Sequence, residues 1–161
     1  MFSSNGFLFL HIAISLIAIA AGFVFIGGIL ARSDLPRVRN LFLTMTIATN
    51  VTGLMFPFSR FLPSHGVAIL SLVLLAIALY AHYFSSQTVL WRRVFVGASV
   101  VALYLNVFVL IVQTFLKNPG LSELAPTQSE LPFIFAQTAA LVCLAYIGVL
   151  AVKRTTTTLT A

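Results

Sequence analysis

The sequence predicts an all-α integral membrane protein, a single bundle of five transmembrane helices with its N-terminus outside and its C-terminus in the cytoplasm. Three observations carry this reading. Of 161 residues, 60% are hydrophobic and only 7% are charged, whereas a water-soluble domain needs about 25% charged residues. Five apolar runs are long enough to cross about 30 Å of hydrocarbon as helices. The basic residues, finally, fall mostly in alternate connections between those runs.

The first run, Phe7–Leu30, follows a segment, Met1–Gly6, without positive charge. It is longer than a signal-peptide core, so it reads as a retained span although Ala18-Ile19-Ala20 resembles a cleavage site. The connection Ala31–Asn40 is charged and contains Pro36. The second run, Leu41–Phe58, is the shortest and carries Pro57 near its end. After Ser59–Ser64 comes the third, His65–Phe84, uncharged from Gly66 to Ala81. Ser85–Arg93 is polar and ends in Trp91-Arg92-Arg93. The fourth run is Val94–Leu116. The connection Lys117–Leu131 is broken by Pro119, Gly120 and Pro126. The fifth run, Pro132–Val152, leads into a Thr-rich tail. All five read as helices, because an open strand leaves its backbone groups unpaired in lipid and the alternation of a barrel strand is missing.

Charge sets the predicted orientation. Arg32, Arg37, Arg39, Arg92, Arg93, Lys153 and Arg154 fall on one side, and only Arg60 and Lys117 on the other. The positive-inside rule places the richer side in the cytoplasm. Asp34 joins it, while Glu123 and Glu130 neutralise the outer side, so the net +6 is an inner rim. Trp91 and Tyr83 stand where an inner aromatic belt belongs. Nine scattered bases do not make a phosphate-tracking patch. The single cysteine, Cys143, excludes a disulfide scaffold and any chemistry that needs a Cys-x-x-Cys pair.

Polar residues are costly in hydrocarbon and tend to face other helices or a cavity. Helical spacing puts His11, Ser15, Ala18 and Gly22 on one seam, and Thr46, Asn50, Gly53 and Pro57 on another. Ser71, Ala78 and His82 form a third; Ser99, Asn106, Gln113 and Lys117 a fourth; Gln137 shares a stripe with Glu130. Asn50 and Asn106, both near mid-span, are expected to pair as buried amides between helices. The remaining polar groups gather toward the outer face. His11, Gln113 and Gln137 lie in the outer third, and Arg60, His65, Lys117 and Glu130 lie at the mouth. Ser64 and Ser129 are placed to cap the third and fifth helices, with Pro132 tolerated in the first turn. Capping leaves Gln128 unexplained.

Chemistry narrows the reading. A proton path normally shows an intramembrane carboxylate, and none of the spans holds one. His-Glu-x-x-His spacing and Gly-rich phosphate loops are missing, and Ser64-His65 lacks an orienting acid nearby. Catalysis by protein side chains alone is therefore not expected. Haem b needs two axial histidines at one depth. His11 and His65 both lie outward, though His65 sits at the boundary; His82 is about 25 Å from His65 along the helix and cannot share a haem with it. A quinone site needs only a few donors at the membrane edge, which His11, Gln113, Lys117 and Arg60 supply.

The stretches FPFSRFLPSHG (Phe56–Gly66), ALYLNVFVLIVQTFLK (Ala102–Lys117) and LAPTQSELPF (Leu124–Phe133) resemble a family of short bacterial inner-membrane proteins. The resemblance covers most of the chain from His11 to Gly148 and implies a multi-pass location in the bacterial inner membrane; it implies no activity. The His-bearing helices also resemble four-helix haem b membrane proteins.

The leading expectation is a non-catalytic inner-membrane protein: an accessory subunit, or a binder of a lipid-like or quinone-like molecule at the outer polar patch. The candidate ligand residues are His11, Arg60, His65, Gln113, Lys117, Gln128, Glu130 and Gln137. The alternatives are a redox subunit carrying haem b or quinone, with His11 and His65 as haem ligands, and a small-solute transporter or channel. The expected partners are membrane lipids, with other membrane subunits or a second copy of the chain beside them, and no nucleic acid.

Overall fold

The computed structural model describes residues 5–56, 63–84 and 88–157, the side chains of residues 63, 64, 156 and 157 excepted. Among the described residues, six helices follow in order: α1 (Asn5–Leu30), α2 (Pro36–Leu54), α3 (Pro63–Tyr83), α4 (Val89–Lys117), α5 (Pro119–Leu124) and α6 (Leu131–Thr157). Four of them, α1, α3, α4 and α6, are long and apolar enough to cross a membrane. The expected second span, α2, does not join them. Its first turns carry Arg37, Arg39 and Asn40, and its interior carries Thr44, Thr46, Thr49, Asn50 and Thr52, which dilute its hydropathy.

Local chemistry explains where the boundaries depart from expectation. Pro36 opens α2, in the position where a missing N–H costs nothing, so the helix starts ahead of Leu41. Thr88 caps α4 by accepting the Trp91 N–H, which draws Trp91, Arg92 and Arg93 into the helix. Asn118 ends α4 and caps α5, its side chain accepting the Leu121 N–H while Pro119 takes the first turn. At the other end of the fold, α1 stops in a Schellman turn. Ser33 N–H donates to Gly28 O (2.9 Å), and Arg32 takes the left-handed conformation at φ 57°. Leu35 folds over Gly28, where a Cβ would stand 2.7 Å from Leu35 Cδ1. α3 begins at Pro63, so Ser64 stands inside its first turn rather than ahead of it.

α4 is the hub, touching α1, α2, α3, α5 and α6. Its apolar face packs Phe95 against Phe25, with ring centroids 5.9 Å apart, and Phe25 stacks in turn on Phe42 of α2 at 6.0 Å. Leu103, Leu75 and Ile26 complete the dry centre. Glycine lets the helices approach. A Cβ on Gly22 would meet Leu103 at 2.7 Å and the Phe42 ring at 2.9 Å, and one on Gly148 of α6 would meet Val100 at 2.9 Å. Small residues at helix crossings work in this way because lipid offers no hydrophobic drive between helices. Outward, α6 shows Leu131, Phe135, Val142 and Tyr146, a lipid-type surface.

The polar seams face inward: Ala18, Gly22, Thr46, Asn50, Ser71, Ser99 and Asn106 are all buried. The expected pair of Asn50 and Asn106 does not form directly. Asn50 Nδ2 donates to Thr46 O (2.7 Å) and to Ser71 Oγ of α3 (3.0 Å), while Asn106 Nδ2 donates to Thr46 Oγ1 (3.3 Å). Thr46 stands between the two amides because its carbonyl lies one turn before Asn50 on the same helix, and its hydroxyl faces α4. One threonine thereby joins α2 to α4, and the asparagine beside it joins α2 to α3.

Candidate functional site

A cavity of about 320 Å³ opens between α1, α2, α3 and α4. His11, Ile12, Ser15, Leu16 and Ile19 of α1 line it, with Thr49, Asn50 and Gly53 of α2. α3 contributes His65 and Ala68, and α4 contributes Asn106, Val109, Leu110, Gln113 and Lys117. Asn106 and Lys117 are eleven positions apart on α4, about 16 Å of helix rise. The cavity therefore has polar groups at its floor and mouth, with an aliphatic band between.

The helical seams bring these groups together. His11 Nδ1 lies 2.7 Å from Thr52 Oγ1. The threonine hydroxyl is itself 2.7 Å from Ala48 O and 3.2 Å from Thr49 O, to which it donates its single proton. Ser15 Oγ donates back to His11 O at 2.7 Å. The Phe56 ring stands edge-on to the imidazole with centroids 5.2 Å apart, and a Cβ on Gly53 would lie 3.5 Å from His11 Cε1, an ordinary van der Waals contact. His65 is buried in the opposite wall. Thr49 Oγ1 is buried without a hydrogen-bond partner among the described residues. Gln113, half-buried, and Lys117, exposed at the mouth, also make no polar contact among the described residues.

Four of the expected ligand residues, His11, His65, Gln113 and Lys117, thus share one cavity, and the expected packing residues Asn50 and Asn106 form its floor. Arg60 and Pro57 lie outside the described residues. Gln128, Glu130 and Gln137 stand elsewhere. Gln128, at φ 59°, donates through Nε2 to Val112 O (3.1 Å), and Gln137 donates to Phe108 O (3.2 Å). Both clamp the last helix and its approach onto α4. Glu130 precedes α6 and its carbonyl accepts the Ile134 N–H, so it takes the cap position expected of Ser129. Its carboxylate accepts from Thr127 Oγ1 (2.8 Å), Thr127 N–H (3.1 Å) and Ser129 N–H (3.0 Å). Desolvation pushes this carboxyl up, but the hydrogen bonds from Thr127, from its own N–H and from Ser129 outweigh it and hold the group below its ordinary value.

Periodicity showed which residues share a face of one helix; it carries no information about which neighbour that face meets. Gln137 was on a polar stripe, and the stripe meets α4 rather than the cavity. Thr52, which orients His11, lies off the seam of Thr46, Asn50 and Gly53 and had no spacing to mark it.

The arrangement can hold a small amphiphile by hydrogen bonds at either end of an aliphatic band, as ligand pockets of a few hundred Å³ do. His11 and His65 line the same cavity. Comparison with protein-family models, with curated proteins and with solved structures finds no match to this chain.

Proposed function

We propose that this protein is a non-catalytic, multi-pass protein of the bacterial cytoplasmic membrane that binds a lipid-like or quinone-like amphiphile in the cavity between α1, α2, α3 and α4. The observation that carries the reading is the cavity itself: polar groups of four helices converge at its ends, and several of them have no partner among the described residues. A buried polar group left unpaired costs stability, and a ligand with hydrogen-bonding ends and an apolar body removes that cost.

In this reading α2 is a fifth span. Its 19 residues rise about 28 Å, close to the hydrocarbon thickness. It packs against α1 and α3, and its buried Asn50 spends its N–H groups inside the bundle. Five spans put the basic rim on the cytoplasmic side and the cavity mouth on the outer side.

Mass spectrometry of the protein released intact from membranes tests the proposal. A co-purifying amphiphile that is lost in the double variant His11→Ala, Gln113→Ala, with the helical circular dichroism kept, is the expected result. Retention of that molecule by the folded double variant contradicts the site. A Soret band in the visible spectrum of the purified protein would favour the haem-bearing redox subunit instead.

A further inference from the structure

We infer that the cavity selects a ligand carrying hydroxyl donors, of the hydroquinone rather than the quinone form, because the two best-defined polar groups in its wall are obligate acceptors. This deepens the amphiphile reading above and rests on it.

The argument counts protons. Thr52 Oγ1 has one hydrogen, and it lies 2.7 Å from Ala48 O, a group that can only accept. That hydrogen is therefore spent on the helix backbone. His11 Nδ1, 2.7 Å from the same oxygen, must be the donor of the second bond. In a neutral imidazole one nitrogen carries the proton and the other accepts, so Nε2 is left with a bare lone pair. It has no partner among the described residues and is not sealed from the cavity.

The same count fixes Asn50. Its contact at 2.7 Å is with Thr46 O, again acceptor-only, so the contacting atom is the amide nitrogen. The second amide hydrogen goes to Ser71 Oγ at 3.0 Å. Oδ1 remains, an acceptor without a partner among the described residues. Thr52 and Asn50 are two residues apart on α2, about 3 Å of rise, which places the two acceptors at neighbouring depths. The other polar groups of the lining can serve either ring form: Gln113, Asn106 and the Thr49 hydroxyl each donate or accept, Ser15 spends its proton on His11 O, His65 lines the α3 wall, and the obligate donor Lys117 stands at the mouth. A quinone presents only carbonyl oxygens and meets both acceptors lone pair to lone pair. A hydroquinone can present an O–H to either.

Isothermal titration of the detergent-purified protein under argon, with an alkyl hydroquinone and the benzoquinone of the same tail, tests this. The hydroquinone is expected to bind at least about tenfold more tightly, the scale of one buried group left unpaired. Thr52→Val removes the acceptor that holds the proton on Nδ1 and should shrink the preference to the part that Asn50 Oδ1 carries, whereas Thr52→Ser should keep it whole. Equal affinities in the unmutated protein overturn the inference and leave the amphiphile reading standing. Failure of both rings to bind overturns the reading and the inference together. Nitrogen chemical shifts of His11 give a readout independent of any variant: a protonated Nδ1 and bare Nε2 are expected, and a protonated Nε2 overturns the argument.

Discussion

Gln137 of α6 donates through Nε2 to the carbonyl of Phe108 on α4 at 3.2 Å, and its own Oε1 is buried with no hydrogen-bond partner among the described residues. The side chain forms one hydrogen bond between the helices and leaves one unpaired acceptor behind. Gln137→Met keeps the length of the side chain and removes both. Thermal denaturation in detergent should show a stability change within about 1 kcal/mol, in either direction, because the lost bond and the relieved oxygen nearly cancel. A loss of several kcal/mol would show that Oε1 has a partner in the folded protein.

Thr46 gives a sharper test. Asn106 Nδ2 loses its partner in Thr46→Val, and Thr46 Oγ1 loses its partner in Asn106→Leu. Each should cost about 1–2 kcal/mol. The double variant should cost less than the sum, since both changes remove the same bond. A double-mutant cycle read by thermal denaturation checks it; strict additivity would mean that the two side chains do not interact.

The glycines divide into two groups with opposite expectations. Gly22→Ala places a methyl 2.7 Å from Leu103 Cδ1 and 2.9 Å from the Phe42 ring. That overpacking should cost about 1–3 kcal/mol. Gly27→Ala meets nothing within 4 Å and should be neutral or gain about 0.5–1 kcal/mol from the stiffer helix. Melting temperatures of the two variants, measured side by side, should move apart.

The Glu130 carboxylate predicts a pH dependence at the start of α6. Its value in the folded protein lies below the ordinary one because the Thr127 and Ser129 donors prefer the charged form. A lowered folded value means that its contribution is present above the unfolded value and is lost as pH falls through the folded one. Hydrogen exchange of the Thr127, Ser129 and Ile134 amides should accelerate in that acid range. Glu130→Gln should exchange fast at neutral pH and show no further acid step.

Four of the spans were legible because hydropathy is a property of each segment alone, and α1, α3, α4 and α6 each contain a long apolar stretch. The margins were read less well. Pro36 and Thr88 are start signals, and both lie inside charged or polar stretches that look like connections. Asn118-Pro119 announces α5 in the same way, a cap followed by proline at the first helical position, although the breakers around it suggested a loop. Within the site, His11, Gln113 and Lys117 emerged from spacing because a cavity wall follows the polar seam of each helix. Gln128 and Glu130 did not separate from them, because what distinguishes a clamp from a ligand group is the atom across the gap. For Gln128 that atom is Val112 O, a backbone group without side-chain identity.

The central place of α4 bears on how the chain is made. Synthesis delivers α1, α2 and α3 first. α1 and α2 meet at once, with the His11–Thr52 bond across their seam. Thr46 Oγ1, however, has its cross-helix partner on Asn106, and Gly22 has its cover in Leu103, both on α4. Until the fourth helix leaves the ribosome and the insertion machinery, the first three enclose a polar seam without its far wall. A nascent chain stalled before Val89 therefore leaves Thr46 Oγ1 and the Gly22 face without the side chains that cover them in the finished fold.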